Sequence, residues 1–481
     1  MRYVVLAFAL SLFVYNAEAQ TYYVKNGGND NLDGTSDTTA WATIGKVNSA
    51  VRGTSDKVYF RCGSKWTSEA LRVVWSGISS NKGKVGAYDV QNGKIVFSSC
   101  ANKPVVDGAN QVPGDAYTGI IHVTGSYVDI EYLRLINSKG MGVRVMNASN
   151  DDITGVETEY TYMSGIQYYQ SSYGVISDTK IREATRLFLT GTVNNGGWPS
   201  NLGTINSNHI TIRNSIVYDS YGEGIGIFKN SNNNVVENNV VVANRSAGIY
   251  IDRGQSNIIR KNIVYGTTNT AYHRSSGVVG PGIAINDENG TSGNLSQGNL
   301  IYDNLVTFCG TGISIWTRDP NASFKNSGIY NNTFVDNNSQ IEISDGPFSN
   351  SYIRNNIFFS QSSGTVDYKG PTNTPGLTWD HNHWTSPPSG NLAGSGDVNG
   401  NPNLTKSSGW RAIAAFGDIG ANDFKLKKGS TASSHGVLVK DAEYDFFGNL
   451  RESNNVDMGA IQINSLVGTP VVPTGLAITK Q

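Results

Sequence analysis

Residues that could transfer protons or bind charged groups gather between positions 223 and 319 of this 481-residue chain. His273 and Tyr272 could accept or donate a proton, and Asp252 could act with a second carboxylate in acid–base chemistry. Arginine and lysine in the same region could neutralise the carboxylates of an acidic ligand. The residues selected for such chemistry are Glu223, Lys229, Arg245, Tyr250, Asp252, Arg253, Tyr272, His273, Arg274, Asn286, Asp287, Glu288, Trp316, Arg318 and Asp319.

Short repeated strands must position these residues. A glycine followed by alternating large residues occurs at 142–145, 165–168, 224–227, 248–251, 282–285 and 312–315. A second strand type begins after an asparagine, at Asn239, Asn262, Asn304, Asn332 and Asn356. Several of the intervals are roughly 23 to 28 residues, and turns rather than helices separate the strands. One such coil cannot bury its own apolar face, so the pattern predicts a stacked solenoid, a parallel β-helix.

Alternation along each strand assigns these side chains to two faces. The aliphatic residues face inward and the residues between them face outward. Since stacked coils lie ~4.8 Å apart, equivalent outward positions form rows across a sheet. One predicted row contains Arg144, Gln167, Gly226, Tyr250, Ala284 and Ser314, and the other contains Met146, Tyr169, Phe228, Asp252, Asn286 and Trp316. We expect this second row, with Tyr250, to be exposed in a groove walled by the loop at 267–281.

Two further features have structural interpretations. The asparagine series shares one register, so we expect its side-chain amides to stack as an internal ladder. Lys229 and Arg253 each follow an outward residue, where strict alternation would bury them. Because burying an unpaired cation is costly, the strand must end or bend there and turn both to the surface.

The start of the chain has the character of a secretory signal. Arg2 precedes an apolar run at 4–14, and small residues at 17–19 offer a cleavage site. We therefore expect residues 1–20 to be removed and the protein to be extracellular. In that compartment Cys62 and Cys100 are expected to form a disulfide, and Cys309 to be a small buried apolar residue.

Composition limits the partners and the domain organisation. With 37 Lys and Arg against 38 Asp and Glu, the net charge of −1 favours neither nucleic acid nor an anionic membrane. After the signal, no run approaches the ~18 apolar residues needed to span a bilayer. We expect one domain at 21–465, with a cap at 21–125, coils at 126–365 and a less regular closure at 366–465. A tail follows at 466–481, and we expect a monomer.

Both ends of the domain resemble a known superfamily. The segments 21–24, 27–30, 33–35 and 41–44 are similar to the opening of secreted bacterial right-handed parallel β-helix proteins of the pectate-lyase-like superfamily, and 444–449 with 456–460 resemble their ending. The resemblance implies an all-β, right-handed parallel β-helix that acts on a polysaccharide. The superfamily contains lyases, epimerases, glycoside hydrolases and phage tailspikes, and this chain lacks their catalytic motifs, so no catalytic residue is assigned by motif.

Three functions fit these observations. The leading hypothesis is a lyase that cleaves an acidic polysaccharide by β-elimination, with His273 or Tyr272 moving protons and Arg253, Arg274 or Lys229 neutralising the uronate. The second is a glycoside hydrolase that uses Asp252 together with another carboxylate. The candidates for that second carboxylate are Asp287, Glu288 and Glu223. The third is a non-catalytic glycan-binding or adhesive solenoid. Whether Ca²⁺ takes part is left open.

Overall fold

The computed structural model describes residues 18–188, 199–274, 277–287, 296–316, 324–344 and 346–463. Each regular coil contributes one short strand to each of three sheets, named sheets 1, 2 and 3 in chain order within a coil. Strands of successive coils pair in parallel, as between Ile225 and Ile249 in sheet 3. The predicted all-β parallel β-helix is therefore confirmed.

The strand bounds follow this order within each sheet. Sheet 1 contains Thr21–Val24, Lys57–Arg61, Gly83–Gln91, Val128–Glu131, Asp152–Thr154, Val175–Ser177, Thr211–Arg213, Val235–Glu237, Ile258–Arg260, Leu300–Tyr302, Gly328–Tyr330, Ser351–Arg354 and Leu377–Asp380. Sheet 2 contains Lys65–Thr67, Val105–Asp107, Arg134–Ser138, Glu157–Thr161, Lys180–Arg182, Ile216–Ser220, Val240–Asn244, Ile263–Tyr265, Leu305–Thr307, Thr333–Val335, Ile357–Phe359, His383–Trp384 and Val398–Asn399. Sheet 3 contains Leu71–Val73, Gly119–Val123, Met141–Met146, Ile166–Tyr169, Ser200–Ile205, Glu223–Phe228, Ile249–Asp252, Ile283–Asn286, Thr311–Trp316, Ser339–Ile343 and Val366–Lys369.

Few other elements interrupt the coils. The strand Lys94–Val96 pairs antiparallel with Gly83–Gln91, and Phe324–Lys325 pairs with Phe348–Ser349. An α-helix at Ile44–Ala50 lies in the N-terminal region, where the Thr43 hydroxyl caps it by accepting a hydrogen bond from the Lys46 backbone N–H. Short 3₁₀ helices occupy Arg186–Phe188, Thr270–Tyr272, Gly390–Leu392, Ala421–Phe424 and Lys440–Ala442. None of the helices in the described ranges is long and apolar enough to cross a membrane.

The core is a stack of inward aliphatic side chains. Ile225, Ile249, Ile283 and Ile313 occupy one register in sheet 3, and each is fully buried. Burial of such a side chain stabilises the fold by about 1.5–3 kcal/mol. Because the register fixes which side chains are inside, it also fixes which side chains lie on the outer face.

The asparagine ladder lies at the turn between sheets 1 and 2. Asn262 donates from its side chain to Asn304 Oδ1 at 3.0 Å, and Asn304 donates in the same way to Asn332 at 3.0 Å. The same contact continues through Asn356 to Asn382, one coil beyond the predicted series. These side chains are fully buried, so the predicted ladder is confirmed as an internal feature.

Sheet 2 is apolar on both faces at the strands Val240–Asn244 and Ile263–Tyr265. Val241 points into the core, whereas Val242 and Tyr265 point outward and are also buried. The segment 401–463, here the C-terminal segment, covers this outer face with side chains that include Trp410 and Met458. Sheet 2 is therefore closed to ligands along these coils.

The cysteines have the predicted states. Cys62 and Cys100 form a disulfide in the N-terminal region. Cys309 is a free, buried thiol in the core. Most of the predicted signal peptide and the predicted tail at 466–481 lie outside the described residues.

Candidate active site

The two predicted rows lie on the outer face of sheet 3. Phe228 is paired with Asp252, Asp252 with Asn286, and Asn286 with Trp316, as the alternation predicts. The 59 residues from Ile166 to Ile225 predict two coils and a long loop at 182–205, but a strand lies within that loop segment. The strand Ser200–Ile205 lies between the strands of Tyr169 and Phe228 and adds Ile205 to this row.

Exposure of this row was wrongly predicted for its central members. Tyr250 is 8% exposed, Asp252 7% and Asn286 1%. The Asn286 side chain donates to the Tyr250 hydroxyl at 2.9 Å, and the Phe228 ring meets Tyr250 edge to face at 5.6 Å. These side chains pack on one another across neighbouring strands, whereas Phe228 and Trp316 at either end are half-buried.

Lys229 and Arg253 do not enter the core, as the cost of burying a cation predicts. Both have left-handed backbone conformations, with φ of 47° and 57°, immediately after their strands end. Lys229 is exposed, but Arg253 is half-buried and turns back to Asp252, with Nη2 3.0 Å from Oδ2. The Asp252 carboxylate is therefore already paired with a cation.

Two further predicted carboxylates, Glu223 and Asp287, are also buried. Glu223 is 5% exposed and pairs in register with Ser200 at the start of its strand. Asp287 is 2% exposed, and its Oδ1 accepts a hydrogen bond from the Ser296 backbone at 2.7 Å. Glu288 and Arg318, together with Asp319, lie outside the described residues.

His273, one of the two predicted proton carriers, forms its side-chain hydrogen bonds within its own loop. The His273 ring nitrogens lie 2.8 Å from the Thr267 carbonyl oxygen and 3.1 Å from that of Gly277. Both partners are acceptors, so this geometry favours a ring that donates over a ring that accepts a substrate proton. The neighbouring Arg274 is half-buried and closes the loop through its backbone N–H to Val278.

Tyr272 is directed toward sheet 2. Its hydroxyl donates to Glu183 at 2.6 Å, and burial together with this carboxylate raises the pKa of Tyr272. Thr268 of the same loop bonds through its backbone to Ile413 in the C-terminal segment. None of these contacts brings Tyr272 or His273 to Asp252, which ends its strand at the far side of sheet 3.

A group not selected from the sequence lies at the N-terminal end of the same face. Arg72 pairs in register with His122, and His122 with Arg144, on three successive strands. We call these three residues the basic row. The inward neighbours Val73, Val123 and Val143 are fully buried, so alternation places the basic row on the outer face, where Arg72 and His122 are half-buried and Arg144 is 8% exposed. Gln167 continues the row on the next strand.

The two guanidinium groups are anchored by backbone carbonyls and form no salt bridge within the described ranges, although the exposed Asp115 attracts both. Arg72 Nη1 donates to the Gly119 carbonyl at 3.1 Å, and Arg144 Nη1 donates to the Tyr117 carbonyl. The Arg144 guanidinium also lies 4.9 Å from the centre of the Tyr169 ring. Neither arginine forms a salt bridge with another residue in the described part of the chain, so the row keeps its positive charge.

His122 is held neutral between these cations. Burial is the largest cause that lowers its pKa from 6.5, followed by repulsion from Arg72 and Arg144, while Asp115 acts in the opposite direction. The ring is half-buried, and its Nδ1 is buried without a hydrogen-bond partner among the described residues. Neutral imidazole is the form that accepts a proton at neutral pH.

The sequence did contain a signal for the basic row. The strand Gly119–Val123 has the apolar alternation of the later coils, with His122 in the outward position that Arg144 occupies in the next strand. It precedes the expected start of the coils at 126 and was therefore assigned to the cap. Within the described ranges, no group of three or more His, Cys, Asp or Glu side chains is arranged to hold a metal ion.

Together, the stacked coils and the basic row define a parallel β-helix protein with a candidate site on sheet 3. A profile of the family described as right handed beta helix region matches residues 76–264 and 200–329, more than half of the chain. The chain belongs to this family, so the right-handed fold is confirmed. No curated protein matches the sequence.

Solved structures share the fold at low identity. Pectate lyase Pel9A is 14% identical, over 93% of this chain and 97% of its own, with a TM-score of 0.53. A rhamnogalacturonan lyase is 15% identical over 76% and 87%, with a TM-score of 0.51. The complex of XylC with xylose is 10% identical over 92% and 98%, also with a TM-score of 0.51. At these identities the likeness is one of fold.

Proposed function

We propose that the protein is an extracellular enzyme that cleaves an acidic, uronate-containing polysaccharide by β-elimination. The carrying observation is the basic row, in which a neutral imidazole lies between two guanidinium groups on an outward face. Two proteins of similar fold, a pectate lyase and a rhamnogalacturonan lyase, support a polysaccharide lyase over unrelated activities. The disulfide between Cys62 and Cys100 supports an extracellular location.

The basic row supplies the parts that β-elimination needs. Neutral His122 takes the proton from C5 of a uronate, and the C4–C5 double bond forms as the C4–O bond to the leaving sugar breaks. Arg72 and Arg144 offset the negative charge that develops on the uronate carboxylate when C5 loses its proton. With the leaving oxygen on the same face of the ring, the imidazolium returns its proton to that oxygen.

The glycoside hydrolase hypothesis has less local support. It needs two carboxylates on either side of the bond, one able to donate a proton and one able to attack or to activate water. Asp252 is paired with Arg253, and Asp287 accepts a backbone hydrogen bond from Ser296. No pair of free carboxylates among the described residues faces the basic row, whose one acidic neighbour is the exposed Asp115.

A substrate screen tests the reaction class. Purified protein is incubated with polygalacturonate, alginate, glucuronan and a neutral glucan, while near-ultraviolet absorbance and reducing ends are measured together. A lyase produces both signals from an acidic polymer, because the new double bond is conjugated with the carboxylate. Reducing ends without absorbance would identify a hydrolase, and neither signal would favour a glycan-binding solenoid.

Variants of the basic row test its role on whichever acidic polymer is cleaved. His122→Ala should lower turnover by ~10²-fold or more, because a general base contributes that much. Arg144→Gln should also lower turnover by removing a neutralising charge. His435→Ala is the matched control, since His435 is exposed in the C-terminal segment. Full turnover in a folded His122→Ala protein would remove the basic row from the mechanism.

A further inference from the structure

A cavity lies away from sheet 3, where the turn between sheets 1 and 2 meets the C-terminal segment. Its volume is about 410 Å³. Its walls carry amide, carboxylate, ammonium and aromatic groups. They are formed by Glu237, Asn238, Arg260, Lys261, Tyr302, Lys440, Asp441, Glu443, Tyr444 and Gly448.

Lys261 is the unusual residue of this cavity. It occupies the single left-handed position of its turn, with φ of 56°, where the coils on either side have Asn238 and Asp303. Asparagine and aspartate adopt this conformation more readily than lysine. The backbone therefore gives no reason for a lysine at this turn.

The Lys261 side chain forms no hydrogen bond and no ion pair with any residue in the described ranges. The adjacent Arg260 differs, because its Nε donates to Glu237 at 2.7 Å and its Nη1 donates to the Tyr302 hydroxyl at 2.9 Å. Burial lowers the pKa of Lys261. A half-buried ammonium without a partner is stabilised when an anion enters the cavity.

Two buried carboxylates, Asp303 and Asp445, attract Lys261 without forming an ion pair with it. The Asp445 oxygens accept hydrogen bonds from the backbone of Phe447, Asn449 and Gln462. Asp303 lies beneath the turn and is paired with Arg451 at 2.7 Å, with both side chains fully buried. Burial raises the pKa of Asp303 to about 7, which weakens its negative charge at neutral pH. The charge of Lys261 is therefore directed to the cavity, which the C-terminal segment leaves open.

We propose that this cavity binds a carboxylate-bearing sugar unit, with the carboxylate on Lys261. Asp441 and Glu443 are exposed and can accept hydrogen bonds from sugar hydroxyl groups. Tyr444 is 54% exposed and offers a ring face for stacking against the sugar. The site is separate from the basic row and holds the glycan without cleaving it, so it does not depend on the proposed function.

Lys261→Asn is the sharpest test, because it installs the residue type that the preceding coil uses at the same turn. Hydrogen–deuterium exchange at 440–448 is measured with trigalacturonate, and with maltotriose as the neutral control. In His122→Ala protein, in which cleavage is expected to be ~10²-fold slower, trigalacturonate should slow exchange there and maltotriose should not. Lys261→Asn should lower the affinity for trigalacturonate, measured from protection at 440–448, by at least 10-fold. Its unfolding midpoint should not change. Lys428 is an exposed lysine of the C-terminal segment, so Lys428→Asn should leave the affinity for trigalacturonate unchanged.

Several outcomes would overturn the proposal. These are the absence of protection at 440–448, equal protection by maltotriose, or full protection in Lys261→Asn. Equal affinity for acetate would show that the sugar is not recognised and would also overturn it. A protein that passes this test but cleaves no acidic polymer would refute the proposed function alone, because the two readouts are independent.

Discussion

Removal of one rung from the asparagine ladder should be among the most destabilising single changes in the chain. The Asn304 side chain donates to the carbonyl oxygens of Ile259 and Tyr302 at 2.9 and 3.0 Å, and to Asn332 Oδ1 at 3.0 Å. Its own oxygen accepts from the backbone and side chain of Asn262 at 3.1 and 3.0 Å. All of these contacts are buried, so water cannot replace the lost partners.

Asn304→Ala removes these contacts and leaves buried groups on two neighbouring coils without one of their partners. With a net contribution of ~1 kcal/mol per hydrogen bond and more for an orphaned group, we expect a loss of about 4–5 kcal/mol. Urea unfolding followed by circular dichroism measures it as a lower midpoint at constant slope.

Asn31→Ala, at an exposed asparagine of the N-terminal region, controls for loss of an asparagine side chain and should change stability by less than ~0.5 kcal/mol. A loss below ~1 kcal/mol in Asn304→Ala would show that the ladder relaxes around the gap. The hydrogen-bond reasoning would then be refuted.

Four further predictions follow from individual groups. Turnover should fall as the pH drops and His122 is protonated, and Arg144→Gln should move this acid limb to higher pH, because one repelling cation is lost. His383 is fully buried, and burial lowers its pKa from 6.5 to about 4. Between these pH values only the unfolded chain binds the proton, so the free energy of unfolding should fall by about 3 kcal/mol as the pH drops from 6.5 to 4. Urea unfolding at several pH values measures this, and His383→Gln should lose this part of the pH dependence. The same pH dependence in His383→Gln would show that His383 is not its source. The Cys62→Ser/Cys100→Ser variant, which opens a link across 38 residues, should lose about 4 kcal/mol in the same assay. His273→Ala should keep near-normal turnover, and a ~10²-fold loss would restore His273 as the base.

The fold could be predicted because its determinants repeat. A strand such as Ile249–Asp252 forms from alternating apolar side chains followed by a turn, and the same pattern occurs in each coil. The spacing predicts a further coil in this interval but not the strand Ser200–Ile205, because its glycine, Gly203, lies at an outward position rather than before the first aliphatic residue. Alternation also gave the correct pairing of Asp252 with Asn286.

Exposure could not be predicted in the same way. Alternation states which face a side chain leaves from, but not whether its neighbours cover it. Tyr250 is buried because Asn286 and Phe228, one coil away on either side, pack against it. His273 has both ring nitrogens against carbonyl oxygens of its own loop. Both facts depend on contacts between residues that no local pattern in the sequence pairs.

The basic row shows how a solenoid creates a site that no contiguous motif encodes. Arg72, His122 and Arg144 belong to three separate coils, and pairing of their strands brings them ~4.8 Å apart. The insertions between these strands can vary in length without changing that spacing, because each one leaves and re-enters the sheet in register. The lowered pKa of His122 is therefore a property of the stack, because burial lowers it most and the arginines on the coils above and below lower it further. A search for a catalytic motif in such a chain should compare equivalent positions of successive coils, including the first coils beside the cap.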